Sequence, residues 1–185
     1  MKNIKQKILV LAALGIMGNT VTLANETDNT LGTVEFSRGN IEIGGPNGGF
    51  APSIDFGVHE ITSVERNYDG VASSPLTVTD NRGTEEGWKV TVRQSTEFSN
   101  GVHTLVGSEI RIGSINGMAS FLGSNIVLSP SNAAHVVAVA NVETGAGINN
   151  FELNNIILNL PTGLVTLASS YQADLVWTVA NVPTP

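Results

Sequence analysis

The sequence predicts an all-β fold, a single two-sheet sandwich of immunoglobulin-like or jelly-roll type, and three observations carry that expectation. After residue 24 no stretch sustains the 3.6-residue apolar period of a helix. Apolar and polar residues instead alternate in short runs, which puts one face of each run toward a core. Between the runs stand clusters of Gly, Asn, Ser and Pro, the residues that turns require.

The alternating runs give the elements in chain order. Val34 and Phe36 sit among Thr33, Glu35 and Ser37, and Ile41 and Ile43 flank Glu42. Leu76 and Val78 alternate with Thr77 and Thr79, then Trp88, Val90 and Val92 with Lys89, Thr91 and Arg93. Ile110 and Ile112 flank Arg111. Three later runs, 136–140, 156–160 and 175–180, are apolar on both faces and are expected to be central strands. Gly44 to Ala51, with its glycines and Pro46, reads as a loop, and the apolar-poor stretch from Ser63 to Ser74 as a longer connection. Leu164 to Ser169 suggests at most one helical turn. Neither a linker nor a long repeat divides the chain, so one domain is expected.

The N-terminus has the order of an export signal. Lys2, Lys5 and Lys7 form a positive region, Ile8 to Met17 an apolar core, and Thr22-Leu23-Ala24 a small-residue cleavage site. The apolar core is shorter than the roughly 20 residues a spanning helix needs. Cleavage after Ala24 leaves a domain of residues 25–185 and no direct membrane insertion. With the three lysines gone, 6 basic residues face 16 acidic ones, a formal charge of −10. That balance excludes nucleic acid as a partner and disfavours an anionic membrane surface. Cysteine is absent, so disulfides, a thiol nucleophile, a lipid-modified cysteine and thiolate metal sites are all excluded.

Chemistry at spacing is likewise missing. His59, His103 and His135 are scattered, and neither a Gly-x-Ser-x-Gly elbow nor a His-Glu-x-x-His occurs. Glu85 and Glu86 are adjacent, so on a strand they point to opposite faces and do not flank one glycosidic bond. Gly145-Ala146-Gly147 lacks the following helix a nucleotide site needs. Leu160-Pro161-Thr162-Gly163 lacks a residue of a sortase signal, and no apolar span or basic tail follows it. These features point away from an enzyme, a cofactor, a metal and covalent wall anchoring.

The two tryptophans share a pattern. Asp80-Asn81-Arg82-Gly83 precedes Gly87-Trp88-Lys89-Val90, and Tyr171-Gln172-Ala173-Asp174-Leu175-Val176-Trp177-Thr178-Val179 stands near the C-terminus. With Gly32-Thr33-Val34-Glu35-Phe36, Asp55-Phe56-Gly57, Gly145-Ala146-Gly147 and Leu158-Asn159-Leu160-Pro161, this order resembles the WxL family of Gram-positive surface proteins over residues 31–185. Val90 and Val179 stand where that family has leucine, which keeps a branched apolar side chain on the same face. The resemblance implies non-covalent attachment to the cell wall and peptidoglycan as partner. It also implies association with other WxL-family and WxL-interacting surface proteins at the cell surface. The runner-up function is a protein-interaction or adhesive subunit held there by a partner or binding a host ligand. The residues to watch are Trp88, Val90, Trp177, Val179, Asp80, Arg82 and Tyr171. Each tryptophan has two readings, a packed core residue or a platform for sugar rings. Asp80 and Arg82 likewise either pin the turn before Trp88 or meet a ligand.

Overall fold

A computed structural model describes residues 31–44, 51–61, 64, 66–84, 86–130, 133–164 and 167–182. The chain divides into two compact units, 1–35 and 36–185. In the first, only residues 31–35 are described, as exposed chain without strand pairing. The expected signal segment and its cleavage site lie outside the described residues, as do 45–50 of the expected glycine-rich loop.

The second unit carries all the described strands, arranged in two antiparallel sheets. They are β1 (Ile41–Ile43), β2 (Ile54–Asp55), β3 (Arg66–Ala72), β4 (Leu76–Asp80), β5 (Trp88–Gln94) and β6 (Glu109–Gly117). β7 (Phe121–Leu122), β8 (Ser124–Leu128), β9 (His135–Ala140), β10 (Gly147–Leu160) and β11 (Leu175–Asn181) follow. The smaller sheet has the order β11-β5-β9-β7. The larger is built on the 14-residue β10. One side of β10 pairs with β4 along Gly147–Phe151 and with β3 along Ile156–Leu160. Its other side pairs with β6, which in turn holds β8. One flank of the larger sheet is therefore split into a β4-β1 half and a β3-β2 half.

The core lies between the sheets. Leu76, Val78, Ile110, Ile112, Phe151 and Leu158 face it from the larger sheet, and Trp88, Val90, Val92, Val137 and Ala138 from the smaller. β10 keeps its apolar residues inward over its whole length only by changing phase. Asn155 adopts φ 54°, so Phe151 and Leu153 before it and Ile156 and Leu158 after it are all buried. Asparagine is among the few side-chain-bearing residues that tolerate this left-handed conformation. β6 makes the matching adjustment between Ile112 and Ile115.

The all-β sandwich is as expected, and four of the five alternating runs are strands. The fifth is not. Residues 31–40 form no strand, and Leu31, Val34 and Phe36 are 90%, 77% and 86% exposed. Pairing with β4 begins only near Gly39 and Asn40, which bond Asn81, so the preceding alternation finds no neighbouring strand among the described residues. Two further expectations are corrected. The stretch from Ser63 to Ser74 is not a connection throughout, because Arg66–Ala72 forms β3. Its inward positions are Tyr68, Gly70 and Ala72, a low-apolar pattern that succeeds because Phe56 fills the space over Gly70. A Cβ there would come within 2.6 Å of that ring. β11 is an edge strand rather than a central one, with β5 as its sole strand partner among the described residues. Its second apolar face, Val176 and Ala180, is exposed. The 156–160 run is central, and the 136–140 run lies between β5 and β7. No helical turn appears at Leu164 or residues 167–169, and 165–166 lie outside the described residues.

Candidate functional site

The two tryptophan motifs have different fates. Trp88, first residue of β5, is fully buried, as is Val90 two positions on. The indole packs edge-on against Phe151 with ring centroids 5.9 Å apart. Its Nε1–H donates to the carbonyl of Gly145 at 3.0 Å, which satisfies a donor that burial would otherwise strand. Gly145 has φ +83°, and a Cβ there would lie 2.5 Å from Nε1. The Gly145-Ala146-Gly147 segment is thus the cover of the Trp88 pocket, and glycine is what fits beneath it.

Asp80 and Arg82 form a clamp beside this pocket. Nε and Nη2 of Arg82 donate to the two oxygens of Asp80 at 2.9 and 2.7 Å. The backbone N–H of Arg82 also donates to Asp80, closing the turn. Nη2 continues to the carbonyl of Glu86 at 2.8 Å, and Nη1 to Oδ1 of Asn181 at 2.7 Å. Both side chains are almost completely buried. The guanidinium hydrogen bonds hold the Asp80 carboxyl below its ordinary range against the opposing effect of burial, and the carboxylate in turn raises Arg82. The clamp therefore ties the end of β4, the start of β5 and the end of β11 together. Asp80 and Arg82 are 5% and 6% exposed.

The C-terminal motif borders open space. Tyr171, Ala173, Leu175, Trp177 and Val179 alternate on one face and are each half-buried against the core. The segment before β11 is fastened to the chain after β5. Ser99 and Gln172 exchange backbone hydrogen bonds at 2.9 and 3.0 Å, and the Asp174 N–H donates to the Thr96 hydroxyl at 2.8 Å. Tyr171, Leu175 and Trp177 thereby form one wall of a groove of about 1090 Å³. Val179 lies beyond its end.

The opposite wall comes from the β3-β2 half of the large sheet, with Ile54, Phe56 and Tyr68. The His59 ring stacks on Tyr68 at a centroid distance of 4.1 Å, and His59 Nε2 is bonded to the Phe56 carbonyl oxygen. Phe98, Leu105, Ile110 and Leu158 make an apolar floor, with Phe98 edge-on to Phe56. Asp55, Glu60, Arg66 and Asp174 supply charge around it. Large aromatic surface with a few polar groups is the usual make-up of a small-ligand site.

Of the seven singled-out residues, the structure thus gathers Trp88, Val90, Asp80 and Arg82 into the interior and brings Tyr171 and Trp177 to the groove. Tyr68, His59 and Phe56 were not singled out. Their signal was weak because Phe56 and His59 precede the stretch read as a connection and Tyr68 lies within it. Among the described residues no group of acidic and histidine side chains is placed to hold a metal ion.

The described residues thus form a disulfide-free β-sandwich with a buried Asp80–Arg82 clamp and an aromatic groove beside an edge strand. The chain matches the family model for the WxL domain, described as surface cell wall-binding, over residues 24–183, and it belongs to that family. Its place is the cell surface. Neither the curated proteins nor the solved structures gave a match.

Proposed function

We propose that the domain attaches non-covalently to the Gram-positive cell wall by binding peptidoglycan in the groove, as a component of a surface protein complex and without catalysis. The observation that carries this reading is the half-exposed pair Tyr171 and Trp177 facing Tyr68 and His59 across an apolar floor. Aromatic faces give large contact area at little conformational cost, and they suit the apolar faces of sugars and short apolar side chains alike. The acidic balance of the chain supports specific contact over charge attraction, because wall polymers are themselves anionic.

The test is retention of the purified protein on protein-free peptidoglycan sacculi. Wild type is retained, and Tyr171→Ser or Tyr68→Ser weakens retention by about tenfold or more, the size of one lost aromatic contact. Sodium chloride leaves retention unchanged or improves it, since screening over about 10 Å at 0.1 M weakens repulsion. Absence of retention on bare sacculi refutes the proposal. That result would favour the second reading, a subunit held by a partner protein. The exposed alternating residues Val34 and Phe36 support this second reading, since they offer a strand-like apolar segment with no strand partner among the described residues.

A further inference from the structure

Among the described residues the groove wall at β11 has a backbone edge without a strand partner, and hydrogen-bond phase fixes which groups it presents. Leu175 pairs with Gln94 and Asn181 with Trp88. Just outside these limits, the Ser95 N–H donates to the Asp174 carbonyl at 2.8 Å, and the Val182 N–H donates to the Gly87 carbonyl at 3.2 Å. In an antiparallel ladder, bonded and non-bonded pairs alternate. Val176, Thr178 and Ala180 therefore direct N–H and C=O toward β5, whereas Leu175, Trp177, Val179 and Asn181 direct theirs to the free edge.

The two ends of that edge differ. Near Asn181 it is backed by the other sheet. β1 lies against β11, and Ile41 of β1 pairs with Asp80, whose partner Arg82 reaches Asn181. Of the residues of β11, the groove touches Leu175 and Trp177. The open stretch thus offers two N–H and two C=O groups across about 7 Å, at roughly 3.4 Å per residue. That length suits an extended peptide of a few residues. A long donor strand from a partner protein would run into the half backed by β1.

Resting on the wall-binding reading above, we infer that the groove takes the peptide stem of peptidoglycan, added as a short strand along Leu175–Trp177. Main-chain hydrogen bonds to an exposed sheet edge then supply the attachment, and side-chain pockets select the sequence. The apolar floor of Phe98, Leu105 and Leu158 receives the methyl groups of the stem's alanines. Arg66, at the groove and in no ion pair among the described residues, meets a stem carboxylate. A bare glycan strand would find few hydrogen-bonding partners on this floor.

Amide hydrogen exchange followed by NMR on the uniformly ¹⁵N-labelled domain tests the inference. The probes are a synthetic stem tetrapeptide of alanine, γ-linked glutamate, lysine and D-alanine, and a peptide-free glycan oligosaccharide. At about 90% occupancy by the tetrapeptide, exchange at Leu175 and Trp177 slows about tenfold, while Val176 and Thr178, already bonded to β5, change little. Leu175→Pro removes one outward donor at an edge position that tolerates proline and weakens tetrapeptide binding about tenfold, whereas Leu175→Ala, which shortens the same groove-lining side chain but keeps the N–H, weakens it clearly less. Sacculi that retain the protein while the tetrapeptide leaves both amides unchanged overturn this inference and spare wall binding. Protection by the glycan oligosaccharide alone overturns it as well. Failure on sacculi and tetrapeptide together overturns both.

Discussion

Replacing Arg82 with alanine removes the centre of the clamp and leaves Asp80 as a buried carboxylate without its cation. The lost contacts are a two-point ion pair at 2.9 and 2.7 Å and two hydrogen bonds, to the Glu86 carbonyl and to Asn181. The longer contact to Glu86 Oε2, at 3.4 Å, ends on a half-exposed side chain and adds little. The two arms from Nη1 and Nη2 join β5's approach to the end of β11, so their loss loosens that corner as well. Breaking a buried pair from one side costs about 3–5 kcal/mol, most of it the uncompensated charge. For a domain of this size that corresponds to a fall in Tm of roughly 6–20 °C. Urea and thermal unfolding followed by tryptophan fluorescence measure it, since Trp88 is sealed beside the clamp. The double substitution Asp80→Leu with Arg82→Met should recover most of the loss, because it removes both charges and keeps apolar volume. A loss below about 1 kcal/mol for Arg82→Ala would refute the reasoning, since it would mean that Asp80 finds water or another donor once Arg82 is gone.

Three further outcomes follow from the same geometry. Because the folded-state pKa of Asp80 is depressed, its contribution to stability is present above the ordinary carboxylate value of about 3.9 and is lost as pH falls through the folded value. In Arg82→Met the sign reverses, so the stability gap from wild type narrows between neutral and mildly acidic pH in urea titrations. Trp88→Phe should cost about 2 kcal/mol in urea unfolding, chiefly from lost volume, because Asn149 Nδ2 still donates to the Gly145 carbonyl at 2.7 Å. Gly145→Ala should cost about as much or more by the same assay, since the added methyl meets Trp88 Nε1 and the Ala140 Cβ at 2.5 Å in a conformation alanine disfavours.

Strand alternation was readable wherever one face is deeply buried. Leu76 and Val78, or Trp88, Val90 and Val92, repeat at period two because each second side chain is fully removed from water. β3 escaped notice because its inward positions are Tyr68, Gly70 and Ala72, and its packing relies on Phe56 arriving from the chain just beyond β2. The reverse error, at Val34 and Phe36, has the same origin. Local alternation states that a segment suits a sheet edge, but an edge must be present beside it. The Asp80–Arg82 pairing was legible because a two-residue separation brings the groups together locally. Its reach to Asn181, 99 positions away, was not.

By itself the sequence determined the all-β class, the inward face of most strands, the absence of thiol chemistry and membership in a family of surface proteins. These depend on residue type and short-range order, which folding does not rearrange. Only the tertiary structure decided that one tryptophan is sealed while the other borders open space, although both stand in Trp-x-Val on a strand. The difference lies in what the opposing sheet brings. Over Trp88 it brings Phe151 and the Gly145 cover, whereas Trp177 borders the groove that it shares with Ile54, Phe56 and Tyr68. Spacing along one strand carries no information about what stands across from it.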